Sequence, residues 1–240
     1  MPHALAVQQP AFPGLCPITE AVEKLAAEGG VEERGAIYTR HEVVDFILDL
    51  TGYTSDQFLT GYRILEPSFG DGDFLFPILD RLLEAAARLP NGLSYASLAP
   101  ALRAVELHRD TFDATRAKVR DRLIAAGVEH SDAIRLLGSW LVQGDFLLSD
   151  FDHKFTHIVG NRPYVRQESI PDVLISEYRR RFVTIYDRAD IYVPFIEQSL
   201  RMLDGGGQLS FICADRWMKN KYGKKLRSLV SKNYSLPIYV

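Results

Sequence analysis

The chain has 240 residues and a formal net charge of −3, and its 47% hydrophobic content suffices for one substantial buried core. Cys16 and Cys213 lie far apart without metal-ligand spacing, and the six histidines are not paired, so neither a disulfide framework nor a metal site is predicted. The sequence has no run of about 18 apolar residues and no basic segment before an apolar stretch, which argues against a membrane span or a secretory signal. We therefore expect a cytoplasmic protein that does not act at a membrane.

Residues 1–33 predict an irregular arm followed by a helix. The first 17 residues contain four prolines, which favour irregular structure, and a helix is predicted over 18–28. A second helix is predicted over 40–51, with Thr39 as its N-cap, because Thr39 and Glu42 form a capping box ahead of periodic apolar positions.

The rest of the chain alternates between strand-like and helix-like stretches. Strands are predicted at 62–66, 101–106, 140–144, 155–160, 208–213 and 236–240, and helices near 73–88, 109–126, 187–203 and 222–232. This alternation predicts an α/β fold, with a doubly wound and mostly parallel sheet that helices cover on both faces.

The first predicted strand runs into a glycine-rich turn that indicates a ligand site. Glu66 ends the strand, and Gly70 and Gly72 follow before a helix, where glycine allows the backbone to approach a ligand closely. Such turns serve nicotinamide, flavin and other nucleotide sites alike. The acidic residues Asp71 and Asp73 disfavour a pyrophosphate at the helix start and suit a cationic cofactor better.

Polar side chains also end two later strands. Glu106 ends the next apolar strand, where a carboxylate can accept hydrogen bonds from both ribose hydroxyls of a nucleoside-bearing cofactor. Asn161 follows the strand 155–160 and opens a short loop, in which Pro163 favours an extended Arg162 and Tyr164 offers a flat apolar face. Together these loop residues suit a planar ring that carries an exocyclic amine.

The loop resembles the Asn-Pro-Pro-Tyr signature of amino-methyltransferases. The surrounding motifs narrow the resemblance to adenine-N6 DNA methyltransferases of the gamma group, especially the type IIG restriction–modification methylases. These motifs occur in the family's order, and the resemblance covers roughly residues 34–230. They are the segments 35–39, 66–75, 144–146 and 189–195, together with Glu106.

The resemblance implies the class I S-adenosylmethionine-dependent methyltransferase fold and S-adenosylmethionine as cofactor. Glu106 would hold the ribose, Asp145 the exocyclic amine of the cofactor adenine, and Glu66 the methionine end. Residues 35–39 would close over that end. The implied cofactor-binding residues are Tyr38, Thr39, Glu66, Ser68, Gly70, Gly72, Glu106 and Asp145.

The resemblance also implies the methyl acceptor, an adenine flipped out of double-stranded DNA. The side-chain oxygen of Asn161 and the main-chain carbonyl of Arg162 would accept the two N6 hydrogens. Tyr164 would stack on the base, with Phe195 as a second wall of the pocket. Catalysis by Asn161, Arg162, Pro163 and Tyr164 would rest on positioning and electrostatics, without a covalent enzyme intermediate.

The charge is distributed unevenly along the chain. Residues 1–160 carry 14 Lys and Arg against 23 Asp and Glu, a net charge of −9, whereas residues 161–240 carry 14 against 8, a net charge of +6. A basic segment can face phosphates, although a solvated helix face is the alternative. Residues 216–227 interleave six cations with aromatic residues. They are expected at the DNA-facing rim, with Trp217 and Tyr222 as either base-stacking groups or packing anchors.

One residue departs from the family pattern, because Arg162 stands where the family has proline. The main-chain carbonyl persists, but the added cation would repel a cationic cofactor by about 1–4 kcal/mol at close range. Alternatives therefore remain: a catalytically disabled S-adenosylmethionine- and DNA-binding module, a protein-glutamine methyltransferase, or a nucleotide-binding dehydrogenase. Tyr38, Thr39 and the basic C-terminal third favour DNA over a glutamine side chain.

The last five residues, 236–240, are predicted to begin a strand. Methyltransferases of this fold end with a further strand, and type IIG members carry a target-recognition domain after it. We therefore expect 34–240 to be a catalytic domain that lacks its last strand, with a missing C-terminal region that recognises the DNA target of a restriction–modification or phage-defence protein.

Overall fold

The structure is a computed structural model that describes residues 16–27, 39–161, 170–185 and 190–237. These residues form one sheet of five parallel strands, in the order β3-β2-β1-β4-β5. The strands are β1 (Ile64–Glu66), β2 (Leu102–Glu106), β3 (Leu141–Gln143), β4 (Phe155–Asn161) and β5 (Leu203–Ile212). The predicted doubly wound parallel sheet is confirmed.

Helices cover both faces of this sheet. Those on one face include α2, α3, α5 and α6, and those on the other include α1, α7 and α8, while α9 and α10 pack beside α8. Their bounds are α1 (Pro17–Ala27), α2 (His41–Leu50), α3 (Leu75–Ala87), α4 (Tyr95–Leu98), α5 (Arg109–Ala125), α6 (His130–Trp140), α7 (Asp172–Arg181), α8 (Tyr192–Met202), α9 (Arg216–Lys219) and α10 (Lys224–Asn233).

The strands β1 and β4, at the centre of the sheet, are largely apolar because both of their faces are buried. In β1, Ile64 packs into the cluster under α3 and Leu65 into the cluster under α7. β4 repeats the alternation with Val159 and Ile158, as the two-residue period of a strand requires. Ala21 of α1 belongs to the second cluster, so the N-terminal helix shares a core with the sheet.

The strand order reverses at β1, which lies between β2 and β4. In open parallel sheets, ligands bind outside the carboxyl ends of the strands at such a switch point. Glu66, Glu106 and Asn161 are the last residues of β1, β2 and β4, and Asp145 follows β3 by two residues. The topology therefore brings these four predicted site residues to one edge of the sheet.

The predicted N-cap of the second helix is wrong. Arg40 is the N-cap of α2, with an extended backbone and no side-chain capping hydrogen bond, and the helix begins at His41. The hydroxyl of Thr39 makes a tertiary hydrogen bond with Asn161 instead.

Several elements differ from the predicted ones. α4, α6, α7 and α9 were not predicted; α4 and α9 have only four residues each, too few to show a helical period. β5 begins at Leu203 instead of 208, because the pairing shifts from Phe155 with Leu203 to His157 with Gln208. Residues 234–237 are not in a strand, and 238–240 lie outside the described residues.

The core on the α5 side permits a matched stability test. Leu123 is fully buried, whereas its neighbour Ile124 is 41% exposed. We expect Leu123→Ala to lower the free energy of unfolding by about 2–5 kcal/mol, because it removes buried methyl groups and leaves a cavity. Ile124→Ala should cost less than about 1 kcal/mol. Chemical denaturation measures both, and equal losses would contradict this packing of α5.

Candidate cofactor and acceptor site

A glycine turn, residues 67–74, joins β1 to α3 at the switch point of the sheet. Gly72 has φ +98°, and a Cβ added there would lie 2.4 Å from the Phe76 ring, so only glycine fits. The N–H of Phe69 donates to the carbonyl of Val105 in β2 at 3.0 Å. The turn is therefore held close against the neighbouring strand.

The Glu106 carboxylate fixes the other end of this turn. Its Oε2 accepts from the N–H of Gly70 at 2.9 Å, and its Oε1 accepts from the N–H of His108 at 2.8 Å. Burial raises the pKa of Glu106, while these main-chain N–H groups partly oppose the rise. A carboxylate offers about four acceptor positions, so Glu106 retains acceptor capacity for a ribose hydroxyl.

Glu66 lies 1% exposed at the end of β1. Burial, followed by the charges of Asp73 and Glu106, raises the pKa of the Glu66 carboxyl well above its ordinary value. Among the residues that the structure describes, its Oε2 has no hydrogen-bond partner. A buried carboxylate in acidic surroundings is stabilised by a positively charged donor. The arrangement therefore fits the cationic methionine end of S-adenosylmethionine.

Asp145 follows β3 and caps a short 3-10 helix, residues 146–148. Its Oδ1 accepts from the N–H of Leu147 at 2.8 Å, and its Oδ2 accepts from the hydroxyl of Tyr178 in α7. Burial raises the pKa of Asp145, and the Tyr178 and Leu147 hydrogen bonds oppose this rise. The 3-10 helix and α7 thus hold the Asp145 carboxylate, which is predicted to bind the cofactor adenine.

Asn161 and the glycine turn meet through Thr39. The Asn161 Nδ2 donates to the Thr39 Oγ1 at 3.1 Å, and the Thr39 N–H donates to the Asp73 Oδ2 at 2.7 Å. The charge of Asp73 in turn acts on Glu66. Hydrogen bonds through Thr39 therefore link Asn161, predicted for the acceptor, to Asp73 of the glycine turn.

Comparison with known proteins identifies the family. The model of the Eco57I restriction-modification methylase family matches residues 102–240. The chain belongs to this family. The resemblance of its motifs to restriction–modification methylases is thereby confirmed.

Two curated relatives of this Eco57I-family chain are type II methyltransferases. M.PaeR7I of Pseudomonas aeruginosa is 58% identical over 97% of this chain and 41% of its own length. M.XhoI of Xanthomonas vasicola is 50% identical over 87% of this chain and 39% of its own length. The chain spans about two fifths of the length of these relatives.

Solved structures agree with the fold. A Listeria monocytogenes protein proposed to be a class I S-adenosylmethionine-dependent methyltransferase superposes with a TM-score of 0.53, at 15% identity. The match covers 90% of this chain and 57% of that chain, and at this identity it concerns the fold alone. The Eco57I-family chain has the class I methyltransferase fold, and its membership of a methylase family supports S-adenosylmethionine as the cofactor.

Not every predicted site residue falls within the described parts of the chain. Tyr38, Arg162, Pro163 and Tyr164 lie outside them, so their roles stay predictions. Ser68 lies half-buried in the glycine turn. In the described residues no helix is long and apolar enough to cross a membrane, and no group of three or more metal-ligating side chains occurs.

Phe195 occupies a core position instead of a pocket wall. Its ring is 4% exposed and packs 4.6 Å from the Phe146 ring and 6.3 Å from the Phe211 ring, centroid to centroid. A ring held there cannot stack on a flipped base unless these neighbours move. Nearly every residue of α8 is buried, so a ring at this position packs against core neighbours whatever its spacing in the segment 189–195, which accounts for the difference.

Two residues of the site were missed by sequence reasoning. Asp73 was recognised only as an acidic neighbour of a cationic ligand, although it binds the Thr39 N–H. Tyr178 lies 33 residues beyond Asp145 in a helix that was not predicted, and no local pattern points to their hydrogen bond. Asp73 at least belongs to the segment 66–75, which the family resemblance had already singled out.

The raised pKa of Glu66 predicts that this carboxyl destabilises the cofactor-free protein at high pH, although it favours cofactor binding. A folded-state pKa above the unfolded value contributes stability at acidic pH, and this contribution is lost as pH rises through the folded pKa. Glu66→Gln should therefore raise the melting temperature of the cofactor-free protein at about pH 8 by roughly 2–8 °C, with a smaller gain near about pH 5.

Thermal unfolding at the two pH values measures this effect, and calorimetry should show weaker S-adenosylmethionine binding by Glu66→Gln. Glu84→Gln, at an exposed position of α3, is the matched control and should show neither change. A lower melting temperature of Glu66→Gln at about pH 8 would mean that a donor already satisfies this carboxylate in the free protein.

Proposed function

We propose that this chain is the catalytic domain of a DNA adenine-N6 methyltransferase in a restriction–modification system. The observation that supports it best is the connection of Glu66, Asp73, Thr39 and Asn161 at the carboxyl edge of the sheet. This connection supports the proposal of a cationic cofactor near Glu66 and an adenine amine at Asn161. Membership of the Eco57I methylase family supports methyl transfer within restriction–modification.

The acidic residues would bind and orient the cofactor. Bound S-adenosylmethionine would supply an electrophilic methyl group. Glu66 would accept from the ammonium of its methionine end, Glu106 from its ribose hydroxyls, and Asp145 from its adenine amine. Glu106 and Asp145 already hold fixed orientations through main-chain donors, so little rearrangement is needed on binding.

Asn161 would orient the acceptor base. The lone pair of an adenine N6 is delocalised into the ring and is a poor nucleophile, so catalysis requires acceptors that hold its hydrogens and favour a pyramidal nitrogen. The Asn161 carbonyl and the main-chain carbonyl of Arg162 are the proposed acceptors. Because the adenine must leave the duplex to reach them, base flipping with stacking on Tyr164 belongs to the same proposal.

A basic surface that follows β5 supports DNA as the substrate. Ile212 ends β5 opposite Asn161, and the exposed cations Arg216, Lys221 and Lys224 come later in the chain. In the proposal these cations contact the phosphates of a bound duplex. Double-stranded DNA is accordingly the proposed partner.

Other charged and aromatic residues of this half have structural partners. Arg180 and Arg181 both bind Glu177 within α7, which accounts for most of the arginine run 179–181. Trp217 is buried among residues of α8 and α10, so it is a packing anchor and not a base-stacking group. The hydroxyl of Tyr222 lies 2.9 Å from that of Tyr192.

The decisive experiment identifies the methylated product. The full-length protein is incubated with methyl-labelled S-adenosylmethionine and unmethylated DNA, and the hydrolysed nucleosides are analysed by mass spectrometry. We expect N6-methyldeoxyadenosine. Glu106→Ala should weaken cofactor binding in calorimetry by at least about tenfold, since the proposed ribose contact and the buried hydrogen bond to Gly70 are both lost. Asn161→Ala should bind the cofactor and lose transfer.

Other outcomes would favour the alternatives. Label on cytosine would overturn the adenine assignment, and label only on a glutamine-containing protein would favour a protein methyltransferase. Cofactor binding without transfer, together with a large gain in Arg162→Pro, would favour a disabled site. Binding of a nicotinamide nucleotide but not of S-adenosylmethionine would overturn the cofactor as well.

The basic surface gives a separate prediction. The double variant Lys221→Glu/Lys224→Glu should bind unmethylated duplex DNA about tenfold or more weakly, and the slope of log affinity against log salt should become shallower by roughly 1–2. Fluorescence anisotropy over a salt series measures both quantities. Arg116→Glu/Lys118→Glu, at exposed positions of α5, is the charge-matched control. Equal losses in the two variants would show that only net charge matters.

A further inference from the structure

Thr39 joins two segments that are distant in sequence. Its N–H donates to the Asp73 Oδ2 at 2.7 Å across 34 residues, and its Oγ1 accepts from the Asn161 Nδ2 at 3.1 Å across 122 residues. The side chain is buried, at 6% exposure. It does not cap α2, since Arg40 occupies that position. The hydroxyl is therefore committed to Asn161.

The orientation of the Asn161 amide decides whether it can bind an amine. An asparagine side chain presents an acceptor oxygen on one side and a donor NH2 group on the other. If the amide were rotated by half a turn, its NH2 group would face the N–H groups of the acceptor, and two donors would meet. A hydroxyl can accept from Nδ2 or donate to Oδ1, and in this structure the Thr39 hydroxyl accepts from Nδ2. This arrangement directs the amide oxygen, and not the NH2 group, away from Thr39.

We propose that Thr39 is a positioning residue, whose hydroxyl holds the Asn161 amide with its oxygen directed to the acceptor amine. This proposal rests on the proposed role of Asn161 in methyl transfer. Through its N–H, Thr39 is also bound to Asp73, the carboxylate whose charge acts on Glu66. Thr39 thus links the acidic residues Asp73 and Glu66, where a cationic cofactor would bind, to the Asn161 amide that would orient the acceptor.

The test compares Thr39→Val, which removes the hydroxyl at nearly constant shape, with Thr39→Ser, which keeps it. In the full-length protein, Thr39→Val should lower the single-turnover rate of methyl transfer to unmethylated DNA by about 10- to 100-fold. Because Thr39 is also a predicted cofactor contact, the rate is measured at saturating S-adenosylmethionine. The calorimetric Kd should change by a smaller factor than the rate, because the N–H to Asp73 remains. Thr39→Ser should transfer within about threefold of wild type.

Thr54→Val is the matched control. Thr54 bonds to exposed Asp56, away from the site edge, so its variant should keep both rate and Kd. Thermal unfolding of every variant checks that the fold persists. Three results would overturn the proposal: an unchanged rate in Thr39→Val, a loss confined to cofactor affinity, or equal impairment in Thr39→Ser.

A second measurement does not depend on activity. In protein labelled with 15N-asparagine, the Asn161 side-chain amide is assigned by its absence in Asn161→Asp. Thr39→Val should shift this signal and speed its exchange with water, whereas Thr39→Ser should not. An unchanged Asn161 amide signal in Thr39→Val overturns the positioning role of Thr39, whether or not the wild-type protein transfers a methyl group. Absence of methyl transfer by the wild-type protein would instead overturn the proposed function.

Discussion

A parallel sheet leaves the carboxyl ends of all its strands at one edge, and the position of each site residue follows from that constraint. Glu66, Glu106 and Asn161 are the terminal residues of their strands, so backbone pairing sets their separations before any side chain is chosen. The glycine turn then brings the main-chain N–H of Gly70 to Glu106, because glycine permits a backbone that other residues avoid. The carboxylates at the strand ends are therefore oriented by the main chain of neighbouring elements.

The acidic residues Glu66, Asp73 and Glu106 lower the stability of the cofactor-free protein. Burial keeps Glu66 away from water, and Asp73 and Glu106 add unfavourable charge around it. A core of similar size built only from apolar residues would avoid this cost. In the proposed function, the positive charge of the bound cofactor would offset this cost, which is the usual relation between stability and function at binding sites.

The sequence predicts the sheet well, since alternating apolar strands and amphipathic helices carry a local period. The polar strand ends are equally visible, because Glu66, Glu106 and Asn161 interrupt apolar runs. Tertiary hydrogen bonds join residues at irregular separations along the chain, so no local sequence period predicts them. Thr39 and Glu42 match a capping box locally, yet the Thr39 hydroxyl binds Asn161, which lies 122 residues away. Tyr178 was missed for the same reason, and the position of Phe195 in the core depends on how α8 packs.

The hydrogen bond between Tyr178 and Asp145 joins α7 to the residues that follow β3. Asn161, at the end of β4, is joined in a similar way to Thr39 and through it to Asp73 of the glycine turn. Asp145 and Asn161 are therefore each held by a side chain that is distant in sequence. A substitution that removes the Tyr178 hydroxyl would leave the Asp145 Oδ2 without this donor, although Tyr178 lies 33 residues away in another helix.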